Sequence, residues 1–76
     1  MIERSDMVVA AEVIGVVCRR KDGFSLDDIT FRIYKNRNLK NKYKVFQVVE
    51  ALVRHSVLVP QLHDGCLCFR YNNGEK

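Results

Sequence analysis

Six cations fall in a stretch of chain that holds no carboxylate: Arg32, Lys35, Arg37, Lys40, Lys42 and Lys44 all lie between Asp28 and Glu50. Lysine and arginine at this density suit neutralisation of phosphates, the sequence-independent part of nucleic-acid binding. Gln47, three residues past Lys44, carries the amide that pairs with an adenine edge. Arg54 lies too far along to reach the bases. The contact set expected for duplex DNA is therefore Arg37, Asn38, Lys40, Asn41, Lys42, Lys44 and Gln47, joined by His63 and Arg70 from the C-terminal segment. Phosphate contacts would set position and base contacts would set specificity. The competing reading is a solvated face with no ligand.

Other chemistries have less behind them. His63, Cys66 and Cys68 project from one face of an expected hairpin, with Cys18 and His55 as further donors, but the spacing is not the Cys-x-x-Cys of a zinc knuckle. Unligated thiols are the simpler state, and no metal or cofactor is expected. Cys66 and Cys68, two apart on a strand, have poor geometry for a disulfide. Asp27 and Asp28 read as charges at a helix start, and His55 as a cation suited to a helix end. There is no glycine-rich phosphate loop, so the chain does not read as an enzyme.

The elements that must position these residues follow from periodicity. Over Lys42 to Ser56, Val45, Phe46, Val48, Val49, Leu52 and Val53 recur three and four apart, which puts them on the inward side of a helix. Lys40, Lys44, Gln47, Ala51 and Arg54 form the opposite stripe. Asn36 to Asn41 supplies the turn before this helix, with Leu39 as its inward anchor and Asn38 or Asn41 as its cap, and a helix start near Leu39 is the alternative boundary. Ser25-Leu26-Asp27-Asp28 opens a preceding helix that buries Leu26, Ile29 and Ile33. Phe31 and Tyr34 are left open between packing on the hairpin and exposure.

Upstream, Met1 to Arg4 reads as a loose end, and Ser5 or Asp6 caps a helix running to about Arg20. Val8, Ala11 and Gly15 lie beside its wet line, marked by Glu12 and Arg19. Ala11 and Gly15 permit close approach of another helix, either within the chain or from a second copy, so Val8, Ala11 and Gly15 are the expected dimer contact. Arg19-Arg20-Lys21 suits the negative end of that helix, Asp22-Gly23 stops it, and Gly23-Phe24-Ser25 reads as a short strand. Downstream, Asp64-Gly65 is a two-residue hairpin turn that pairs His63 with Cys66. That register puts Leu58, Pro60, Leu62, Leu67, Phe69 and Tyr71 on one face and leaves Pro60 acceptable only on an edge strand. Asn72 to Lys76 reads as a polar tail.

Seventy-six residues make one domain, 1–76, with an ordered part of about 5–71. A chain this short buries only about 60% of its unfolded surface, so its core is small. Thirteen Lys plus Arg against nine Asp plus Glu give a net charge of +4, which favours acidic partners. Three cysteines and no secretory leader point to a reducing compartment, cytoplasm or nucleus. The longest apolar runs are too short to cross a bilayer, so no membrane is expected.

The order helix, short strand, helix, turn, helix and two-stranded hairpin resembles the winged helix-turn-helix superfamily, an α+β fold, over roughly Ser5 to Tyr71. Lys21-Asp22-Gly23 and Lys44-Val45-Phe46-Gln47-Val48-Val49-Glu50-Ala51-Leu52 are similar to the layout of eukaryotic cell-cycle winged-helix factors, and small bacterial and phage regulators share the plan. The resemblance implies a third helix in the DNA major groove and a wing on the neighbouring backbone or minor groove. Tyr43-Lys44-Val45-Phe46-Gln47 stands where the cell-cycle factors carry an Arg-Arg-x-Tyr-Asp string, so their specificity does not carry over. Winged helices also serve as adaptors between proteins, which makes a protein partner the alternative reading.

Overall fold

A computed structural model describes residues 5–74. In chain order the elements are α1 (Asp6–Val17), β1 (Phe24–Ser25), α2 (Leu26–Tyr34), α3 (Leu39–Arg54), β2 (Leu58–His63) and β3 (Cys66–Tyr71). The three strands form an antiparallel sheet in the order β1-β3-β2. This is the expected α+β winged-helix layout, with β2 on the edge. The expected loose end at residues 1–4 and the last two residues of the polar tail lie outside the described residues.

Each helix starts on a side-chain cap. Ser5 Oγ accepts from the Val8 amide at 3.2 Å, Ser25 Oγ from the Asp28 amide at 3.2 Å, and Asn38 Oδ1 from the Asn41 amide at 2.9 Å. The Asn38 cap sets the start of α3 at Leu39, three residues before Lys42, so the earlier of the two expected boundaries holds. Asn36 braces the same turn: its Oδ1 accepts from the Asn38 amide at 3.2 Å and from Asn41 Nδ2 at 2.9 Å. The asparagines thus satisfy backbone donors that no helix reaches.

α1 stops at Val17, short of the Arg20 expected from sequence. The Arg19 amide bonds back to Val16, three residues earlier, and this tightening ends the helix. Arg19, Arg20 and Lys21 therefore sit in a turn beyond the helix rather than in its last turn. Gly23 closes that turn at φ +78, and a Cβ there would collide with the Phe69 carbonyl oxygen, so the β1–β3 pairing requires glycine.

The hairpin follows the register drawn from sequence, His63 against Cys66 and Pro60 against Phe69. Asp64 and Gly65 both have positive φ, 53 and 79. Inside, Val9, Val13 and Val17 of α1 pack with Ile29 and Ile33 of α2, Val45, Val48 and Val49 of α3, and Phe24, Leu58 and Phe69 of the sheet. Thr30 is the buried polar exception, and its hydroxyl donates to the Leu26 carbonyl at 2.8 Å.

Several inward assignments are corrected. Phe46 is 42% exposed and Leu39 82% exposed. With Val45, Val48, Val49 and Leu52 defining the inward direction, a residue one step from Val45 is turned about 100° away, and Phe46 falls on the flank. Leu62 and Leu67 lie on the sheet face that buries Leu58 and Phe69, yet they are exposed because the tip of the ribbon runs on past the helices; Tyr71, opposite Leu58 at the base, is 41% exposed. Gly15 has nothing within 4 Å of a built Cβ, and Val8 and Ala11 are exposed with it, so this small-residue face makes no crossing inside the chain.

Candidate nucleic-acid interface

The outer side of α3 is uncovered. Lys40, Tyr43, Gln47, Glu50, Ala51 and Arg54 are all exposed, while the opposite side carries the buried valines. Because the Asn38 cap and its Asn36 brace lie just before Leu39, the N-terminal turns of α3 stand at the surface beside the start of α2. Asn41 is half-buried in that brace, so its amide is already committed.

The cations do not form the single outward stripe expected of them. Lys42 Nζ lies 2.8 Å from Asp27 and Arg37 Nη2 3.9 Å from Asp28, both at the start of α2. Lys44 turns the other way and pairs with Asp6 at the start of α1. Two residues apart is about 200° around a helix, so Lys42 and Lys44 leave α3 on opposite flanks. Arg54 pairs with Glu50 at 3.3 Å, one turn back, and Arg37 also lies over the Phe31 ring at 4.6 Å. Each of these pairs is at least partly solvated and worth roughly 0–1 kcal/mol, so a phosphate could displace the carboxylate. Until it does, each of these cations has a carboxylate partner.

His63 and Arg70 are placed elsewhere. They share the outer sheet face with Gln61, whose Nε2 donates to the Asp22 carbonyl at 3.2 Å and whose Oε1 accepts from Arg70 Nε at 3.0 Å. His63 Nε2 lies 3.5 Å from Asp64 and 4.0 Å from Asp22. Arg70 thereby belongs to an open hollow of about 510 Å³ that also takes in Arg20, Lys21, Asp22 and Gln61. The expected contact residues thus divide into an α3 group and a group around the α1–β1 turn.

Two features escaped the sequence reading. One is aromatic: Arg20 and Arg32 both lie over the buried Phe24 ring, at 4.0 and 4.7 Å. Phe24 was visible only as a short-strand residue, and nothing in its spacing announced two cations from different elements. The other is apolar. Tyr43 is 63% exposed beside Leu39 and Phe46, and a groove of about 610 Å³ between α1 and α3 is lined by Met7, Ala10, Gln47, Val48, Ala51 and Leu52, with Asp6 at its end. Gln47 borders this groove while remaining exposed.

The thiols stand apart. Cys18 and Cys66 are exposed and Cys68 is buried. Burial pushes the Cys68 thiol up, with Cys66, Asp28 and Asp22 adding to the shift and Arg20 opposing it, so it is protonated at neutral pH. Among the described residues no three His, Cys, Asp or Glu side chains are grouped to hold a metal ion, and no helix is long and apolar enough to cross a membrane. No family model, curated protein or solved structure matches the chain.

Proposed function

We propose that this protein is a small winged-helix DNA-binding protein, a transcriptional regulator or replication accessory factor of the cytoplasm or nucleus, that inserts α3 in the major groove. The observation that carries the reading is the uncovered outer side of α3, with Lys40, Tyr43 and Gln47 exposed along it, in a chain with this element order and a net charge of +4. Gln47 takes the base-reading role, and Lys40, Lys42, Lys44 and Arg37 reach phosphates by exchanging their present partners. The β2–β3 ribbon lies along the neighbouring backbone. The reading needs no cofactor and no catalytic group. If two copies pair on palindromic DNA, the exposed Val8, Ala11 and Gly15 face of α1 is the contact.

Titration of duplex DNA at increasing salt tests this. Affinity should fall steeply with salt, Lys40→Gln should weaken every sequence, and Gln47→Ala only the preferred one. Absence of binding at low salt overturns the reading.

A second reading is a protein-interaction module. The exposed Leu39, Tyr43 and Phe46, and the apolar groove between α1 and α3, favour it. It predicts that Tyr43→Ala and Met7→Ala abolish partner binding without changing any affinity for DNA.

A further inference from the structure

Arg19, Arg20 and Lys21 were explained in the sequence as counter-charges to a helix end, but α1 stops at Val17 and leaves them in the following turn. All three are exposed, and among the described residues none of them makes an ion pair with a carboxylate, nor does Arg32 or Arg70. The fold gathers these cations from three places, the turn, α2 and β3. Phe24 in β1 brings Arg20 from the turn and Arg32 from α2 against one ring. The hollow beside them adds Lys21 and Arg70 of β3, with Asp22 its single carboxylate.

We infer that this turn-centred cluster is a second surface for the nucleic-acid phosphate backbone, distinct from α3, and that it supplies the larger share of the salt-sensitive attraction. The inference rests on the DNA-binding reading. An arginine lying on an aromatic ring keeps its charge, while the planar fork retains N–H groups along its edge that can donate to a phosphate. Arg20 and Arg32 are therefore held in place before any ligand arrives, and little side-chain entropy remains to be lost on binding. Arg37, Lys42 and Lys44 must first exchange carboxylate partners, so their contribution is smaller per cation.

The test compares Arg19→Gln/Lys21→Gln with Lys42→Gln/Lys44→Gln on the full chain, using fluorescence anisotropy of a labelled random-sequence duplex over a range of salt concentrations. Arg19 and Lys21 are exposed and make no ion pair among the described residues; Arg32→Gln, which leaves Arg20 beside the ring, is the additional variant. The turn pair should lose at least about fivefold in affinity at low salt, with the slope of log affinity on log salt shallower by about two. The α3 pair should lose less. If the wild-type chain binds and both the turn pair and Arg32→Gln match it in affinity and slope, the cluster is not a phosphate surface, although the DNA-binding reading stands. If the wild-type chain fails to bind at low salt, the DNA-binding reading falls and this inference with it.

Discussion

The two basic regions of this molecule carry similar charge and different electrostatics. Around the start of α3, Arg37, Lys42 and Lys44 each face a carboxylate from another helix, Asp28, Asp27 and Asp6. Around the α1–β1 turn, Arg19, Arg20, Lys21 and Arg32 have no such partner among the described residues, and two of them lie on Phe24. The first region looks stronger in the sequence because its cations fall in one long stretch uninterrupted by acids. In the second, none of the cations is ion-paired to a carboxylate among the described residues, because the acids that count are those brought close by packing. A charge run in a sequence therefore locates cations, and only the fold locates the field.

The comparison can be broken most severely at Gly23, which closes the turn carrying the second region. Gly23→Ala should destabilise the chain by about 3 kcal/mol or more, read as a lowered urea midpoint, since the Cβ meets the Phe69 carbonyl and φ is positive. An unchanged midpoint would mean that β1 and β3 do not approach as described. Phe24→Leu should cost less, about 1–2 kcal/mol, because it retains most of the buried volume while removing the ring beneath Arg20 and Arg32. Asn38→Ala should cost about 1 kcal/mol through the lost cap of α3.

Asp6→Asn/Asp27→Asn sharpens the contrast from the other side. With the Lys44–Asp6 and Lys42–Asp27 pairs removed, DNA affinity should rise a few-fold and become more salt-sensitive, at a stability cost within about 1 kcal/mol for each partly solvated pair. The smallest effect concerns the thiols: alkylation at neutral pH should modify Cys18 and Cys66 well before Cys68, whose raised pKa keeps it in the unreactive thiol form. Equal rates at all three would show that Cys68 is not buried.

Local rules carried the fold. Ser25, Asn38 and the Asp64-Gly65 turn act on neighbouring backbone, and the hairpin register followed from the alternation of apolar residues, with Pro60 as a check on which strand is the edge. The site was less legible because it depends on contacts between elements. Periodicity placed Phe46 with the valines, but a helix that packs along one narrow side leaves its flanks wet, and Phe46 lies on a flank. Asp27 and Asp28 were rightly assigned to the α2 start; that they also hold Lys42 and Arg37 is a tertiary fact with no signature in spacing. Leu39, expected inward, is turned out by the same Asn38 cap that starts the helix.

Backbone amide shifts of the labelled chain during titration with a short duplex at low salt test the central claim most directly. DNA binding through α3 predicts shifts at Lys40, Tyr43 and Gln47, together with the Arg19 to Lys21 turn, all reversed by added salt. Shifts confined to the α1–α3 groove around Met7 and Ala10, or no shifts at all, would contradict it.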